Sequence, residues 1–231
     1  MEKAIHYCWF GRGEKPKLVQ KCIASWKKYC PDYTITEWNE DNFDIDRYPY
    51  ARYCLDNKKY AFLSDFVRLQ VIYEHGGIYF DTDVEVIRNI DELLKYDAFY
   101  AFENNEYVAT GLGFGANAGH PTIKAMVEKY YAFTPNPDGS FTMVGCPKLN
   151  TEALLSFGLE LNGKRQNVGG AEIFPAEYFN PYDDPTGRLN KTENTFSIHW
   201  FAKSALSKAT VFKSKLTRPI HRIFGTDFLR K

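Results

Sequence analysis

With 231 residues, 44% of them hydrophobic and 16% aromatic, the chain is long and apolar enough to bury the core of one domain of moderate size. Its 29 basic residues balance its 29 acidic ones, so bulk charge argues against a nucleic-acid partner. No run approaches the roughly 20 apolar residues that span a bilayer, the first twenty residues lack a secretory apolar stretch, and the five cysteines (Cys8, Cys22, Cys30, Cys54, Cys146) include no C-x-x-C pair, so the expectation is a cytoplasmic chain with reduced thiols and no zinc site.

Residues 4–10, A-I-H-Y-C-W-F, form a short apolar run closed by Gly11-Arg12-Gly13, which predicts a first sheet strand entering a glycine-rich loop. Trp9 stands at the end of that strand, where a tryptophan serves either the core or a ligand. From Pro16 to Tyr29, Leu18, Cys22 and Trp26 recur with Val19 and Ile23 on the next row, the pattern of an amphipathic helix begun by a proline. The alternation of residues 33–38 predicts a second strand, and the strand-helix-strand order makes a parallel βαβ unit, the usual nucleotide-binding half of an α/β domain. Residues 43–58, rich in Asp, Arg and Tyr, read as irregular.

The stretch 64–83, S-D-F-V-R-L-Q-V-I-Y-E-H-G-G-I-Y-F-D-T-D, organises the chain. Phe62, Phe66, Leu69 and Tyr73, with Leu63 and Val67 beside them, predict one broad apolar stripe on a helix. Asp65 and Arg68, at i and i+3, share a face and either pair with each other or point together at something polar. Gly76-Gly77 stops the helix, Ile78-Tyr79-Phe80 reads as a strand, and Asp81-Thr82-Asp83 is where it emerges. Ligands of open α/β sheets bind outside the carboxyl ends of strands. Two carboxylates at i and i+2 on a strand, with Tyr79 on the same side, repel each other unless a cation or proton lies between them.

Beyond Asp83, residues 84–87 predict a strand, residues 90–94 a helix, and residues 98–102 another strand. Residues 108–121 hold Gly111, Gly113, Gly115 and Gly119 without G-x-G-x-x-G order or a P-loop lysine, and read as a strand whose glycines permit close approach. Residues 122–131 predict a helix burying Ile123, Met126, Val127 and Tyr130. Residues 162–170 read as a polar loop, 172–179 as a strand entering a loop, and 195–200 as the last apolar strand, ending in His199-Trp200. Residues 203–231 carry eight basic residues against the single acid Asp227, interleaved with apolar ones, which suits either an anionic membrane surface or a helix packed on the domain.

The combined string S-D-x-x-R (Ser64, Asp65, Arg68) and G-G-x-Y-x-D-x-D (Gly76 to Asp83) is far more specific than a bare D-x-D, which is commonly a solvated turn. It resembles the donor-sugar-binding signature of DXD-containing glycosyltransferases of the capsular-polysaccharide and mannosyltransferase type, similar to the catalytic core of the large clostridial glucosylating toxins. I-H-Y-C-W-F-G resembles their first strand, Gly145-Cys146-Pro147 with Thr151 resembles a G-P-x-x-L-T turn with one Cys inserted, and the strand-terminal His199 resembles their H-x-x-x-x-S-W terminus. Here Ser204 is kept but Ala205 replaces the tryptophan.

The resemblance implies a GT-A-like α/β single domain over residues 1–202, with a Rossmann-like mixed sheet flanked by helices and a basic C-terminal helical tail at 203–231. It implies a metal-dependent, retaining transferase that uses Mn²⁺ or Mg²⁺ and moves a sugar from a nucleotide-sugar, UDP-linked, to a glycan or lipid-linked glycan of a bacterial surface polysaccharide. Asp83 would ligate the metal, Asp81 would hold ribose or metal-bound water, and His199 would reach the metal and diphosphate. Asp65 would bond sugar hydroxyls beside Arg68, Tyr79 would belong to the site, Ser64 would touch the nucleoside, and Trp9 would stack on the base. Gly145, Pro147 and Thr151 would lie on the acceptor side, or simply cap a helix. The same residues leave two rivals: a noncatalytic carbohydrate-binding module with a structural Ca²⁺ at Asp81 and Asp83, and a metal-dependent nucleotidyltransferase.

Overall fold

The computed structural model describes residues 1–202 and 208–225. Strands β1 (Ala4–Cys8) and β2 (Thr34–Trp38) are joined by helix α1 (Lys17–Tyr29) and pair in parallel, from Ala4 opposite Thr34 to Cys8 opposite Trp38. This is the βαβ unit that the alternation of residues 33–38 predicts. The stretch expected to be irregular instead contains a 3₁₀ turn (Ile45–Arg47) and helix α2 (Pro49–Asp56), which buries Tyr50, Ala51 and Cys54. Three buried positions within two turns are too short a face to register as periodic, and Pro49 in the first turn marks a start that the surrounding Asp and Arg residues obscure.

Helix α3 (Tyr60–His75) runs into strand β3 (Gly77–Tyr79) with one residue between them. Residues 66–72 are all buried, so the helix has no single apolar stripe. It packs on β1 and β3 on one side and against α2 and α4 (Pro121–Tyr131) on others. Phe62 and Tyr73 are only partly buried, while Arg68 and Gln70 lie inside. Gly76 and Gly77 have φ of 69° and 90°, a conformation that L side chains rarely adopt. A Cβ on Gly77 would also lie 2.9 Å from the carbonyl oxygen of Ala4 on β1.

The remaining elements are β4 (Val84–Val86), β5 (Ala98–Ala101), β6 (Phe114–Ala116), α5 (Cys146–Leu155), β7 (Gln166–Val168), β8 (Ala171–Phe174), β9 (Tyr182–Asp183), β10 (Arg188–Leu189), β11 (Ser197–His199) and α6 (Lys208–Phe224). The main sheet is mixed, in the order β2-β1-β3-β6-β5-β8-β7, with β1 parallel to both its neighbours and β6 antiparallel to both of its own. Side chains alternate across it: Ala98 and Tyr100 of β5 join one apolar cluster with α3, α4 and α5, while Phe99 and Ala101 join the other with Trp26, Phe80 and Phe196. Separate two-stranded ribbons pair β11 with β4 and β10 with β9.

Three further expectations are corrected. Residues 90–94 form a 3₁₀ turn (Asp91–Lys95), and the glycine-rich stretch 108–121 is a 3₁₀ turn (Thr110–Leu112) followed by the three-residue β6. Residues 162–170 include strand β7, which returns as a hairpin onto β8, so a polar composition there marks an edge strand. Of the tail, residues 203–207 and 226–231 lie outside the described residues, including Ser204, Ala205 and Asp227.

Replacing Gly77 by Ala adds a methyl group at positive φ against β1, at a cost of about 2 kcal/mol or more. The expected outcome is a melting temperature several degrees lower for Gly77→Ala, read by circular dichroism; an unchanged melt would show that the α3-to-β3 turn relaxes freely.

Candidate active site

Arg68 is the centre of the site. It sits on the third turn of α3, 3% exposed, with Nη2 2.7 Å from Asp65 Oδ1 and 3.1 Å from Asp81 Oδ1. Its Nε donates to the Ser64 carbonyl at 3.1 Å, and its guanidinium lies 5.2 Å from the centre of the Tyr79 ring. The Tyr79 hydroxyl in turn donates to Asp81 Oδ1 at 3.0 Å. The i, i+3 spacing of Asp65 and Arg68 thus yields an ion pair, and the turn after β3 adds a second carboxylate to the same cation. Gly111 closes over this group: a Cβ there would lie 2.5 Å from Asp81 Oδ2 and 3.0 Å from Arg68 Nη1.

Asp81 and Asp83 are not on a strand. They occupy a turn between β3 and β4, closed by the Val84 N–H donating to the Asp81 carbonyl at 3.0 Å, and it is this turn that directs both carboxylates into one space. Because β11 pairs with β4, His199 is opposite Val84 and its Nε2 lies 3.3 Å from Asp83 Oδ1. The Ala202 N–H donates to Asp83 Oδ2 at 2.7 Å. One donor atom each from Asp81, Asp83 and His199 fall within 4.8 Å of one another.

The charges are unequal. Burial pushes Asp81 up to about 6 despite Arg68, and the neighbouring Asp83 adds to the push. Burial also raises Asp65 against the pull of Arg68. For Asp83 burial acts in the same sense, but His199 and the Ala202 N–H outweigh it and hold the carboxyl below its usual value. Burial alone would lower His199, and Asp83 raises it instead. His199 Nδ1 is buried without a hydrogen-bond partner. Two convergent carboxylates and an imidazole with an orphaned nitrogen are a donor set that fits a divalent cation of the Mn²⁺ or Mg²⁺ kind.

These groups lie in a cleft of about 1050 Å³ whose lining includes Trp9, Ser64, Asp65, Arg68, Asp81, Asp83 and His199. Trp9 is half-buried at the end of β1, with its indole N–H donating to the Gly13 carbonyl at 2.8 Å and Lys15 Nζ 5.5 Å from the ring centre. Tyr79 lies behind the cleft, buried beneath Arg68 and Asp81. Gly145 and Pro147 belong to the start of α5, and Thr151 accepts the Val108 N–H at 2.9 Å and donates to the Pro147 carbonyl at 2.7 Å. None of these three lines the cleft. The intervening Cys146 touches the site instead, its thiol and backbone N–H facing Asp65 and its Sγ 3.9 Å from Arg68 Nη1.

Sequence reasoning missed several lining residues: Lys58, Lys59, Tyr182, Asp184 and Arg218. Arg218 of α6 pairs with Asp184 at 2.9 Å. No local motif marks these positions; the basic composition of residues 203–231 was the one available signal.

Removing the buried cation strands two carboxylates. Arg68→Ala is expected to lose about 3–5 kcal/mol of stability, and Arg68→Lys less. A carboxyl whose folded pKa is raised binds its proton more tightly in the folded state, so its contribution to stability falls as pH rises from the unfolded value of 3.8 through the folded one. Losing Arg68 raises Asp65 and Asp81 further. The melting gap between wild type and Arg68→Ala should therefore narrow as pH falls from about 8 to about 5; a constant gap would mean that the carboxylates find other partners.

Comparison with known proteins points at the same segment. Residues 16–100 match the family model described as "Glycosyltransferase sugar-binding region containing DXD motif". Among curated proteins, the chain is 28% identical over 142 residues to inositol phosphoceramide mannosyltransferase 3 of Schizosaccharomyces pombe, covering 58% of this chain and 38% of that protein. It is 39% identical over 67 residues to alpha-1,4-N-acetylglucosaminyltransferase of Homo sapiens, covering 29% of this chain and 18% of that one. The chain thus spans well under half the length of either relative. Among solved structures, PaToxG Glycosyltransferase superposes with a TM-score of 0.50 at 19% identity, covering 67% of this chain and 68% of that one, a likeness of fold. The segment 16–100, which holds Asp65, Arg68, Asp81 and Asp83, is thus similar to the sugar-binding region of DXD-containing glycosyltransferases.

Proposed function

We propose that the protein transfers a sugar from a nucleotide-sugar, UDP-linked, to a hydroxyl of a glycan or lipid-linked glycan, in the cytoplasm. The observation that carries this reading is the convergence, in one cleft, of the Asp65–Arg68–Asp81 group with Asp83 and His199, with Trp9 also in the lining. The residues answer to the parts of such a donor. Trp9 offers a partly exposed aromatic face to a nucleobase, a contact worth about 1–3 kcal/mol. Ser64 borders the nucleoside. Asp83, Asp81 and His199 would hold Mn²⁺ or Mg²⁺ against the diphosphate. A bound cation would act as a Lewis acid, stabilising charge on the departing nucleoside diphosphate. Arg68 and Asp65 fix the donor sugar, the fork of the guanidinium orienting both carboxylates at once.

Retention of anomeric configuration is the finer part of the proposal. A double-displacement route needs a free carboxylate nucleophile. Among the described residues the cleft carboxylates are all engaged: Asp65 and Asp81 with Arg68, Asp83 with His199, and Asp184 with Arg218. Front-side displacement suits that lining. The acceptor oxygen bonds to the anomeric carbon on the face from which the phosphate oxygen leaves, and the hydroxyl proton passes to that departing phosphate. The name of the mannosyltransferase relative, which modifies a phosphoceramide lipid, favours a lipid-linked acceptor.

The test is nucleotide release from a panel of UDP- and GDP-sugars with Mn²⁺, beside EDTA and Asp83→Asn controls. UDP released from one donor and lost in both controls is the expected result. Turnover of a nucleoside triphosphate would favour the nucleotidyltransferase, and sugar binding without nucleotide binding the carbohydrate-binding module. Trp9→Ala should raise the donor KM about tenfold with little change in melting temperature; a collapse of the fold would return Trp9 to a purely structural role. Intact mass should show no covalent glycosyl-enzyme during turnover.

A further inference from the structure

Helix α6 has two unlike faces. One is tied to the β9–β10 hairpin: Arg218 pairs with Asp184, Arg222 Nε donates to the Thr186 carbonyl at 2.6 Å, and His221 Nδ1 lies 3.1 Å from the Pro185 carbonyl. The packing is close, since a Cβ on Gly187 would lie 2.9 Å from Arg218 Cδ. The other face carries Phe212, Leu216, Ile220 and Ile223, spaced i, i+4, i+8 and i+11, and they are 65%, 61%, 37% and 74% exposed. That spacing puts them on one stripe of an α-helix. Among the described residues, Phe212, Leu216 and Ile223 are the three most exposed large apolar side chains.

Charge says what covers this stripe. Residues 203–231 hold eight basic residues and one acid, so the other 202 residues carry seven more acids than bases. A symmetric dimer through the stripe would bring two strongly basic segments together, whereas an anionic lipid surface accepts both the apolar side chains and the cations. The acidic remainder is repelled from the same surface, which orients the molecule with α6 toward it. No helix among the described residues is long and apolar enough to cross a membrane, so the mode is lying on the surface.

We infer that α6 is an interfacial helix seating the protein on an anionic lipid surface through Phe212, Leu216, Ile220 and Ile223. Ser214 and Arg218 line the cleft from the opposite face of the same helix, so docking holds the cleft one helix diameter, about 10 Å, from the lipid surface. If the transfer reaction proposed above holds, its acceptor is a glycan carried on a lipid.

The experiment is co-sedimentation of the full chain with vesicles of phosphatidylcholine alone and of equal parts phosphatidylcholine and phosphatidylglycerol, beside the triple variant Phe212→Ser, Leu216→Ser, Ile223→Ser. Wild type is expected to bind the anionic vesicles at least about tenfold more tightly than the neutral ones, and the triple variant to lose about tenfold or more of that binding. The variant should keep its melting temperature and its nucleotide release in solution, since these three side chains lie outside the cleft lining. No binding by wild type, equal binding to both vesicles, or undiminished binding by the variant would overturn the inference. So would a wild-type dimer, seen by light scattering without vesicles, that becomes monomeric in the triple variant. Vesicle binding needs no donor turnover, so its failure is separate from a failure of the transferase reading.

Discussion

A single buried guanidinium holds the site together. Arg68 neutralises Asp65 from its own helix and Asp81 from the turn after β3, and it spreads over Tyr79, whose hydroxyl reaches the same Asp81. Neither carboxylate would tolerate its depth without that cation, because an unpaired buried charge costs several kcal/mol. Burial still pushes Asp81 up to about 6, with Asp83 next to it adding to the shift. Asp83 and the His199 imidazole complete a cluster with Asp81 whose donor atoms lie within 4.8 Å of one another, and His199 Nδ1 is buried without a hydrogen-bond partner.

The fold brings these residues to one point by two routes. Helix α3 and β3 are joined through Gly76 and Gly77, which allow the chain to reverse within one residue and lay β3 beside β1. Arg68 and Asp81 therefore face each other although they belong to different elements. The second route is the ribbon of β4 and β11, which carries His199 from near the end of the described core to Asp83. Gly111 completes the arrangement by omission, because any side chain there would occupy the space of the Asp81 carboxylate. The arrangement depends on the sheet and the ribbon as well as on the turn that holds Asp81 and Asp83.

The cleft is not made by the DXD segment alone. Part of its lining comes from the β9–β10 hairpin and α6, with Asp184 and Arg218 paired there. One helix thus offers a polar face to the site and an apolar face to the outside. The chain carries its excess acid in the body and its excess base in the segment containing this helix. Such segregation leaves net charge at zero while giving the molecule a direction.

Local geometry was legible in the sequence wherever one element's own period decided it. The i, i+3 spacing of Asp65 and Arg68 meant a shared helix face, the alternation of residues 33–38 meant a strand, and the double glycine meant a stop, because helix and strand repeats are set by the backbone. The spacing of Asp81 and Asp83 also announced two close carboxylates, although a turn rather than a strand brings them together. Tertiary structure decided what depends on packing between distant segments. It showed that α3 is buried on nearly all sides rather than along one stripe, since α2, α4 and the sheet surround it. It put Cys146, and not Thr151, against Asp65 and Arg68, and set Arg218 into the cleft wall from about 150 residues away. A side chain's partner across the core follows from how elements pack, and no repeat within its own segment encodes that.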